Sequence, residues 1–162
     1  MLKLLIKEGS LEYLRMLTKM DLNKIQQDFY EWQLSQAQPV RVVSYKQVPD
    51  ISKKLEQFLK VNKPKQKQCY MTATKCAMFI NGVEYVEGLF SFSGIPIEHS
   101  WNYYKGSNFD LTSEVALKTN HQDYVQIIKL KKSLMEKYTY RNGVYGNLIS
   151  SYYKDKILKE KK

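Results

Sequence analysis

The sequence predicts an α+β fold, in which a small antiparallel β-sheet packs on a central helix opened by Cys69 and further helices lie at both termini. Apolar residues at helical spacing dominate the first third of the chain, and one apolar stripe (Cys69, Ala73, Cys76, Ala77 and Ile80) marks the central helix. Strand-like patterns separated by turn residues then run to about Ile128. With 162 residues, 43% of them hydrophobic, the chain is expected to form a single domain with a buried core.

Residues 1–62 are predicted to be a helical N-terminal part. Ser10 can cap a first helix of regularly spaced leucines, Asp21 can cap a second, and Pro49 opens a third. Residues 40–45 are extended and are predicted to form an edge strand. A polar, lysine-rich stretch then ends this part of the chain.

Residues 63–128 are predicted to form the helix-plus-sheet core. The central helix ends at Asn81-Gly82, because this pair readily adopts the left-handed conformation that terminates a helix. A strand follows from Val83, with a bulge expected at Gly88, and a hairpin turns at Lys105-Gly106-Ser107. A last strand begins at Tyr124.

Residues 129–162 are predicted to be C-terminal helices with a basic tail. The first of these helices is expected over 129–138 and the last over 148–158, with a loop at Gly143 and Gly146 between them. The tail is the lysine-rich end of the chain.

The charge balance of +10 comes from lysine, since only three arginines are present (Arg15, Arg41 and Arg141). Arginine is the side chain that grips phosphates and bases in bidentate fashion, so only weak, non-specific attraction to nucleic acid is expected. Glu8 interrupts the short apolar start of the chain, and no apolar run approaches the roughly 18 residues of a membrane span. We therefore expect a cytoplasmic protein with no membrane contact.

The cysteines and histidines do not have the spacing of a metal site. Cys69, Cys76, His99 and His121 form no paired-ligand clip, and no organic cofactor motif is present, so neither a metal nor a cofactor is expected. Cys76 is interpreted as a core residue in the middle of its helix, and His121 as a loop residue.

The hairpin places a histidine and an aspartate on one face of the sheet. If the turn centres on Lys105-Gly106, Trp101 lies opposite Asp110, and His99 is two residues from Trp101 on the same strand. A diagonal pair of this kind allows an imidazole–carboxylate hydrogen bond. A turn shifted by one residue would place Asp110 on the opposite face.

Cys69 has the position of a reactive thiol, because the N-terminus of a helix offers free N–H groups and the positive end of the helix dipole. A nearby His99 can take its proton, and Asp110 can fix the imidazole tautomer. The Gln68 side chain and the backbone N–H of Cys69 can stabilise an oxyanion. Each residue also has a structural interpretation: a core thiol, a sheet histidine and a turn aspartate.

The order of these residues resembles the transglutaminase-like core of the papain-like superfamily. The sequences PIEHSWN and FDLT are similar to the family's strands that carry histidine and aspartate, with His99 30 residues after Cys69 and Asp110 11 residues after His99. Tyr70 stands where the family usually has a tryptophan or another large aromatic residue beside the nucleophile. The pieces YVEG, HxWN and DxT are also similar to small uncharacterised bacterial and phage proteins.

This resemblance implies a cysteine hydrolase or acyltransferase that acts on an amide, isopeptide or thioester of a protein or peptide-like substrate. Cys69 is then the nucleophile, with Trp101 as a wall of the cleft and Glu87 and Tyr70 as substrate-binding residues. The alternative is an inactive binding module that uses a surface rich in lysine and tyrosine to hold nucleic acid or a protein. Its candidate stacking residues are Tyr103-Tyr104 and Tyr152-Tyr153, which lie next to lysines.

Overall fold

A computed structural model describes residues 2–92, 94–119 and 123–160, and for residues 2–8 it describes the backbone alone. The architecture is α+β. The helices are α1 (Leu2–Thr18), α2 (Lys24–Gln36), α3 (Ser52–Val61), α4 (Cys69–Phe79), α5 (Lys132–Asn142) and α6 (Leu148–Tyr152). The strands are β1 (Gln38–Val40), β2 (Val42–Val43), β3 (Glu84–Phe92), β4 (Ile95–Tyr104), β5 (Ser107–Phe109) and β6 (Tyr124–Leu130). A 3-10 turn spans Tyr45–Gln47, and π-helical turns span Thr112–Leu117 and Tyr153–Leu158.

The six strands form one sheet in the order β1-β6-β3-β4-β5-β2. β1 and β2 pair with strands at opposite edges of this sheet, yet only Arg41 separates them in the chain. Two residues of extended chain span at most about 7 Å, so the two edges must approach each other at this point. The sheet therefore curls until a single bent segment closes it.

The predicted sheet is corrected in two respects. The sheet is mixed rather than antiparallel, because β2 runs parallel to β5 while the other neighbouring strands are antiparallel. The single edge strand predicted over 40–45 is replaced by a segment, 38–43, that supplies both edges as β1 and β2. Its pairing partners lie more than 60 residues away in sequence, so no local pattern specifies this arrangement.

The two faces of the curled sheet bury different sets of residues. The outer face packs against the helices in a core that includes Ala73, Cys76 and Tyr85. The inner face encloses a smaller cluster of Val86, Phe90, Trp101 and Tyr124. α4 is held to the outer face of β4 by a hydrogen bond of 2.9 Å from Asn102 Nδ2 to the carbonyl oxygen of Ala73.

Gly88 allows the close strand packing beneath the candidate site. A Cβ atom at this position would lie 2.0 Å from the carbonyl oxygen of Val125, a distance that no side chain can occupy. The pairing of β3 with β6 shifts register between Glu87 and Gly88, so the predicted bulge is present.

The N-terminal helix boundaries differ from the prediction. α1 begins well before Ser10 and is kinked at Gly9, and the Ser10 N–H donates to the carboxylate of Asp123. α2 is capped by Asn23, whose Oδ1 accepts a hydrogen bond of 3.0 Å from the Gln26 N–H, and not by Asp21. Capping depends on where tertiary packing starts the helix, and several polar residues here are chemically suitable. None of the described helices is long and apolar enough to cross a membrane.

Candidate active site

His99 and Asp110 form a direct buried pair. His99 Nε2 lies 2.6 Å from Asp110 Oδ2, and the two side chains are only 3% and 2% exposed. The hairpin sets this contact: Tyr104 pairs with Ser107, and the register continues toward Trp101 opposite Asp110. The turn register predicted from the sequence is therefore the one adopted, and both residues lie on the inner face of the sheet.

Three aromatic rings surround the imidazole. The Phe90 ring stacks on His99 with 4.6 Å between ring centroids, and the rings of Trp101 and Tyr124 each lie 6.3 Å away. This apolar enclosure excludes water and strengthens the interaction of the imidazole with its carboxylate partner.

Two further donors hold the Asp110 carboxylate, and the sequence did not indicate either. The Tyr124 hydroxyl donates to Oδ2 over 2.8 Å, and the Ser113 N–H donates to Oδ1 over 3.0 Å. Ser113 lies three residues after the aspartate, a spacing typical of an aspartate that caps a turn. Tyr124 could not be found in this way, because β6 and β5 are not neighbours in the sheet.

Cys69 is the first residue of α4, as predicted, and it influences His99. Burial lowers the pKa of His99, but the charge and hydrogen bond of Asp110, together with the nearby Cys69 thiol, outweigh this effect and raise the pKa to about 10. Nε2 is engaged by Asp110, so Nδ1 is the ring nitrogen left for the thiol. His99 and Asp110 are therefore in direct contact, and Cys69 lies close enough to the same imidazole to influence its pKa.

The two cysteines lie in different environments. Cys76 is fully buried among core residues, and burial raises the pKa of its thiol. Cys69 is half-buried at the start of the same helix. Only Cys69 combines partial exposure with an imidazole partner, which is the environment of a reactive thiol.

The N-terminus of α4 also supplies oxyanion donors. The first hydrogen bond within the helix runs from the Thr72 N–H to the Gln68 carbonyl oxygen, so the three preceding N–H groups have no acceptor within the helix. Gln68 directly precedes the helix, and its side chain makes no capping hydrogen bond. The predicted oxyanion role of Gln68 is compatible with this position.

Trp101 does not line an open cleft, contrary to the prediction. Its side chain is 1% exposed, and its indole N–H donates over 3.0 Å to Asn108 Oδ1 inside the curled sheet. Its ring contacts Tyr124 edge-on at 5.1 Å. Trp101 therefore packs among the residues around His99. It is buried because the sheet closes on itself, and no local sequence pattern predicts that closure.

Glu87 is not a substrate contact either. It lies on the outer face, is 2% exposed, and accepts hydrogen bonds from the Tyr85 hydroxyl and from the N–H groups of Leu148 and Ile149. Burial raises its pKa to about 7, although these hydrogen bonds oppose the shift. Glu87 therefore anchors the first turn of α6 to the sheet.

Tyr70 retains a position beside the thiol. A Cβ atom added at Gly146 would lie 2.4 Å from its ring, so the loop before α6 packs directly on this tyrosine. Burial raises the pKa of the Tyr70 phenol, as do the charges of Glu87, Glu98 and Cys69. The substrate-binding role of Tyr70 stays a prediction.

The tyrosines proposed to stack on nucleic-acid bases are largely used within the fold. Tyr104 and Tyr153 are buried, and Tyr152 stacks on Trp32 at 6.0 Å. The ring of Tyr103 is covered by Lys129, whose Nζ lies 3.6 Å from the ring centroid. These rings do not form an exposed stacking surface. His121, the loop histidine of the prediction, lies outside the described residues.

Comparison of the chain with models of known protein families, with curated proteins and with solved structures finds no match.

Proposed function

We propose that this protein is a thiol-dependent acyl-transfer enzyme of transglutaminase-like type, which hydrolyses or transamidates an amide, isopeptide or thioester. The observation that carries the proposal is the buried bond of 2.6 Å between His99 and Asp110, with Cys69 acting on the same imidazole. A histidine held between a carboxylate and a helix-terminal thiol is the arrangement that activates a cysteine nucleophile.

The chemistry follows from these positions. The Cys69 thiolate attacks the carbonyl carbon, a C–S bond forms, and the negative charge on oxygen meets the N–H groups at the start of α4 and the Gln68 amide. The His99 imidazolium gives its proton to the leaving group as the C–N, C–O or C–S bond of the substrate breaks. Water or an amine, deprotonated by the imidazole, then attacks the thioester and releases the thiol.

The half-buried position of Cys69 and the loop packed on Tyr70 support an acyl site beside Tyr70. The substrate is a protein or peptide-like acyl donor. The acyl group passes to water or to an amine, depending on which of the two reaches the thioester of Cys69. Both acceptors are therefore included in the test.

The test uses an activated ester, p-nitrophenyl acetate, followed by peptide mass spectrometry. We expect an acetyl group on Cys69 and not on Cys76, and its removal by water or by added glycine methyl ester. Labelling in urea supplies the control, since both thiols are then equally exposed. Acetylation of Cys69 no faster in the folded protein than in urea would contradict the proposal.

Two variants separate catalysis from folding. Cys69→Ala should lose the acetyl-enzyme and keep the fold, whereas Cys76→Ala should keep the acetyl-enzyme and lose roughly 1 kcal/mol of stability as a small buried side chain is removed. Acyl transfer that survives Cys69→Ala would assign the activity to another group.

A further inference from the structure

A cavity borders Asp110 of the candidate active site. It has a volume of about 840 Å³ and is bordered by residues 39–44, by Asp110 and Tyr124, and by Ser113, Glu114, Lys118 and Thr119. Among the described residues, neither Cys69 nor His99 lines it. A molecule in this cavity would therefore meet the Asp110 side of the imidazole, away from the thiol.

The two carboxylates in the cavity wall are already engaged. Glu114 accepts hydrogen bonds from the Ser44 hydroxyl and from the Tyr45 N–H, and Asp110 accepts those from His99, Tyr124 and Ser113. The carboxylate oxygens of Glu114 and Asp110 therefore bond to neighbouring segments of the chain. Neither carboxylate is within ion-pair distance of a described lysine or arginine.

Two cations line the same cavity. Arg41 and Lys118 are both exposed, and neither forms an ion pair with any carboxylate of the described residues. The other two arginines differ in this respect, because Arg15 pairs with Glu12 and Arg141 with Asp155. The backbone of Arg41 is held in place, because Arg41 is the single residue between β1 and β2, the two strands that close the sheet.

Apolar side chains complete the wall. Pro39, Val40, Val42 and Val43 line the cavity together with the Tyr124 ring. A concave, mostly apolar site with a few convergent polar groups is the usual form of a small-molecule site, and a volume of this size falls within the usual range. A guanidinium fork matches the geometry of a carboxylate or a phosphate.

We propose that this cavity binds a small organic anion, with Arg41 holding its carboxylate or phosphate group, Lys118 adding a second positive charge, and the valine-lined wall receiving its apolar portion. The inference is independent of the proposed acyl transfer. It concerns an additional ligand, because an acyl donor must reach Cys69, which does not line this cavity.

Two probes with the same apolar chain test the proposal and distinguish the two head groups. Hexanoate and hexyl phosphate are titrated separately into 15N-labelled protein, with hexanol as the neutral control and sodium chloride at matched ionic strength. We expect saturable shifts of the backbone amides of residues 40–44 and 113–119 with one or both anions. Hexanol should shift them much less.

Arg41→Gln should weaken the binding of the anion at least about tenfold, the effect of losing a charge-assisted hydrogen bond. Arg41→Lys should give an intermediate affinity, because it keeps the charge and loses the fork. Arg141→Gln is the matched control, an exposed arginine remote from the cavity, and should bind as the wild type does. An unchanged amide spectrum away from the cavity establishes that each variant is folded.

Binding of hexanoate alone, or of hexyl phosphate alone, assigns the head group and supports the proposal. The absence of saturable shifts with either probe would overturn it. An equal dissociation constant in Arg41→Gln and in the wild type, or shifts spread over the lysine-rich surface, would do the same.

Discussion

Replacement of Asp110 by asparagine removes one charge and keeps the size of the side chain. The carboxylate now accepts three hydrogen bonds, from His99 and Tyr124 on Oδ2 and from the Ser113 N–H on Oδ1. An asparagine has a single acceptor oxygen. If that oxygen keeps the Ser113 N–H, the NH2 group faces His99, and Nε2 must become an acceptor. The imidazole proton then sits on Nδ1, toward the thiol, which is the wrong tautomer for a base.

The magnitude follows from the pKa of His99. Raising it from 6.5 to about 10 corresponds to about 5 kcal/mol of preference for the imidazolium, at about 1.4 kcal/mol per pKa unit. Asp110 is the largest of the causes that raise this pKa, so in Asp110→Asn burial prevails and the pKa falls. Because the pKa of His99 in the folded protein lies above that of an exposed histidine, this stabilisation is complete below about pH 6.5 and is lost as the pH rises through 10.

The assay is the rate of alkylation of Cys69 by iodoacetamide, measured by mass spectrometry from pH 6 to pH 10. An ordinary cysteine thiol with a pKa near 8.5 is about 3% thiolate at pH 7. Loss of the imidazolium partner should therefore slow labelling at pH 7 by up to about 30-fold, which is the ratio between a fully ionised thiol and an ordinary one, and the difference should shrink as the pH approaches 9. Asp50→Asn is the matched control, since that exposed carboxylate bonds only to Lys105 among the described residues.

Two results would refute this reasoning. One is an equal labelling rate for the wild type and Asp110→Asn at pH 7, in variants shown by urea denaturation to be folded. The other is a difference of the same size at all pH values, because that would indicate a change in access to Cys69 and not in the charge of its partner.

Two other predictions concern the supports of the site. Tyr124→Phe removes the hydroxyl that donates to Asp110 Oδ2 and should lower the free energy of unfolding by about 1.5–3 kcal/mol. It should slow the labelling of Cys69 less than Asp110→Asn does. A free energy of unfolding in urea equal to that of the wild type would contradict this prediction. Glu87 has its pKa raised from 4.5 to about 7 by burial, so its contribution to stability is complete below about pH 4.5 and falls by about 3 kcal/mol as the pH rises through 7. The variant Glu87→Gln should be less stable than the wild type at pH 5, and its melting temperature should not fall in this way as the pH rises. Melting temperatures that vary with pH in parallel for the variant and the wild type would count against the assignment.

Local sequence was sufficient for much of the fold and for the central contact of the site. Strand alternation and the turn at Lys105-Gly106 predict the register that joins His99 to Asp110, because both depend on residues close together in the chain. The start of α4 at Cys69 follows equally from its apolar stripe. The chemical character of Cys69, His99 and Asp110 could therefore be inferred before their positions in space were known.

Tertiary structure alone decided what surrounds this contact. The curled sheet closes through Arg41, which buries Trp101 and brings Tyr124 to the Asp110 carboxylate from a strand that is not its neighbour. Glu87 is likewise directed to a helix that begins about sixty residues later, at Leu148. Such contacts depend on which distant segments pack on each face and edge of the sheet. The alternation of side chains along a strand shows which residues share a face, but it does not show which distant segment will cover that face.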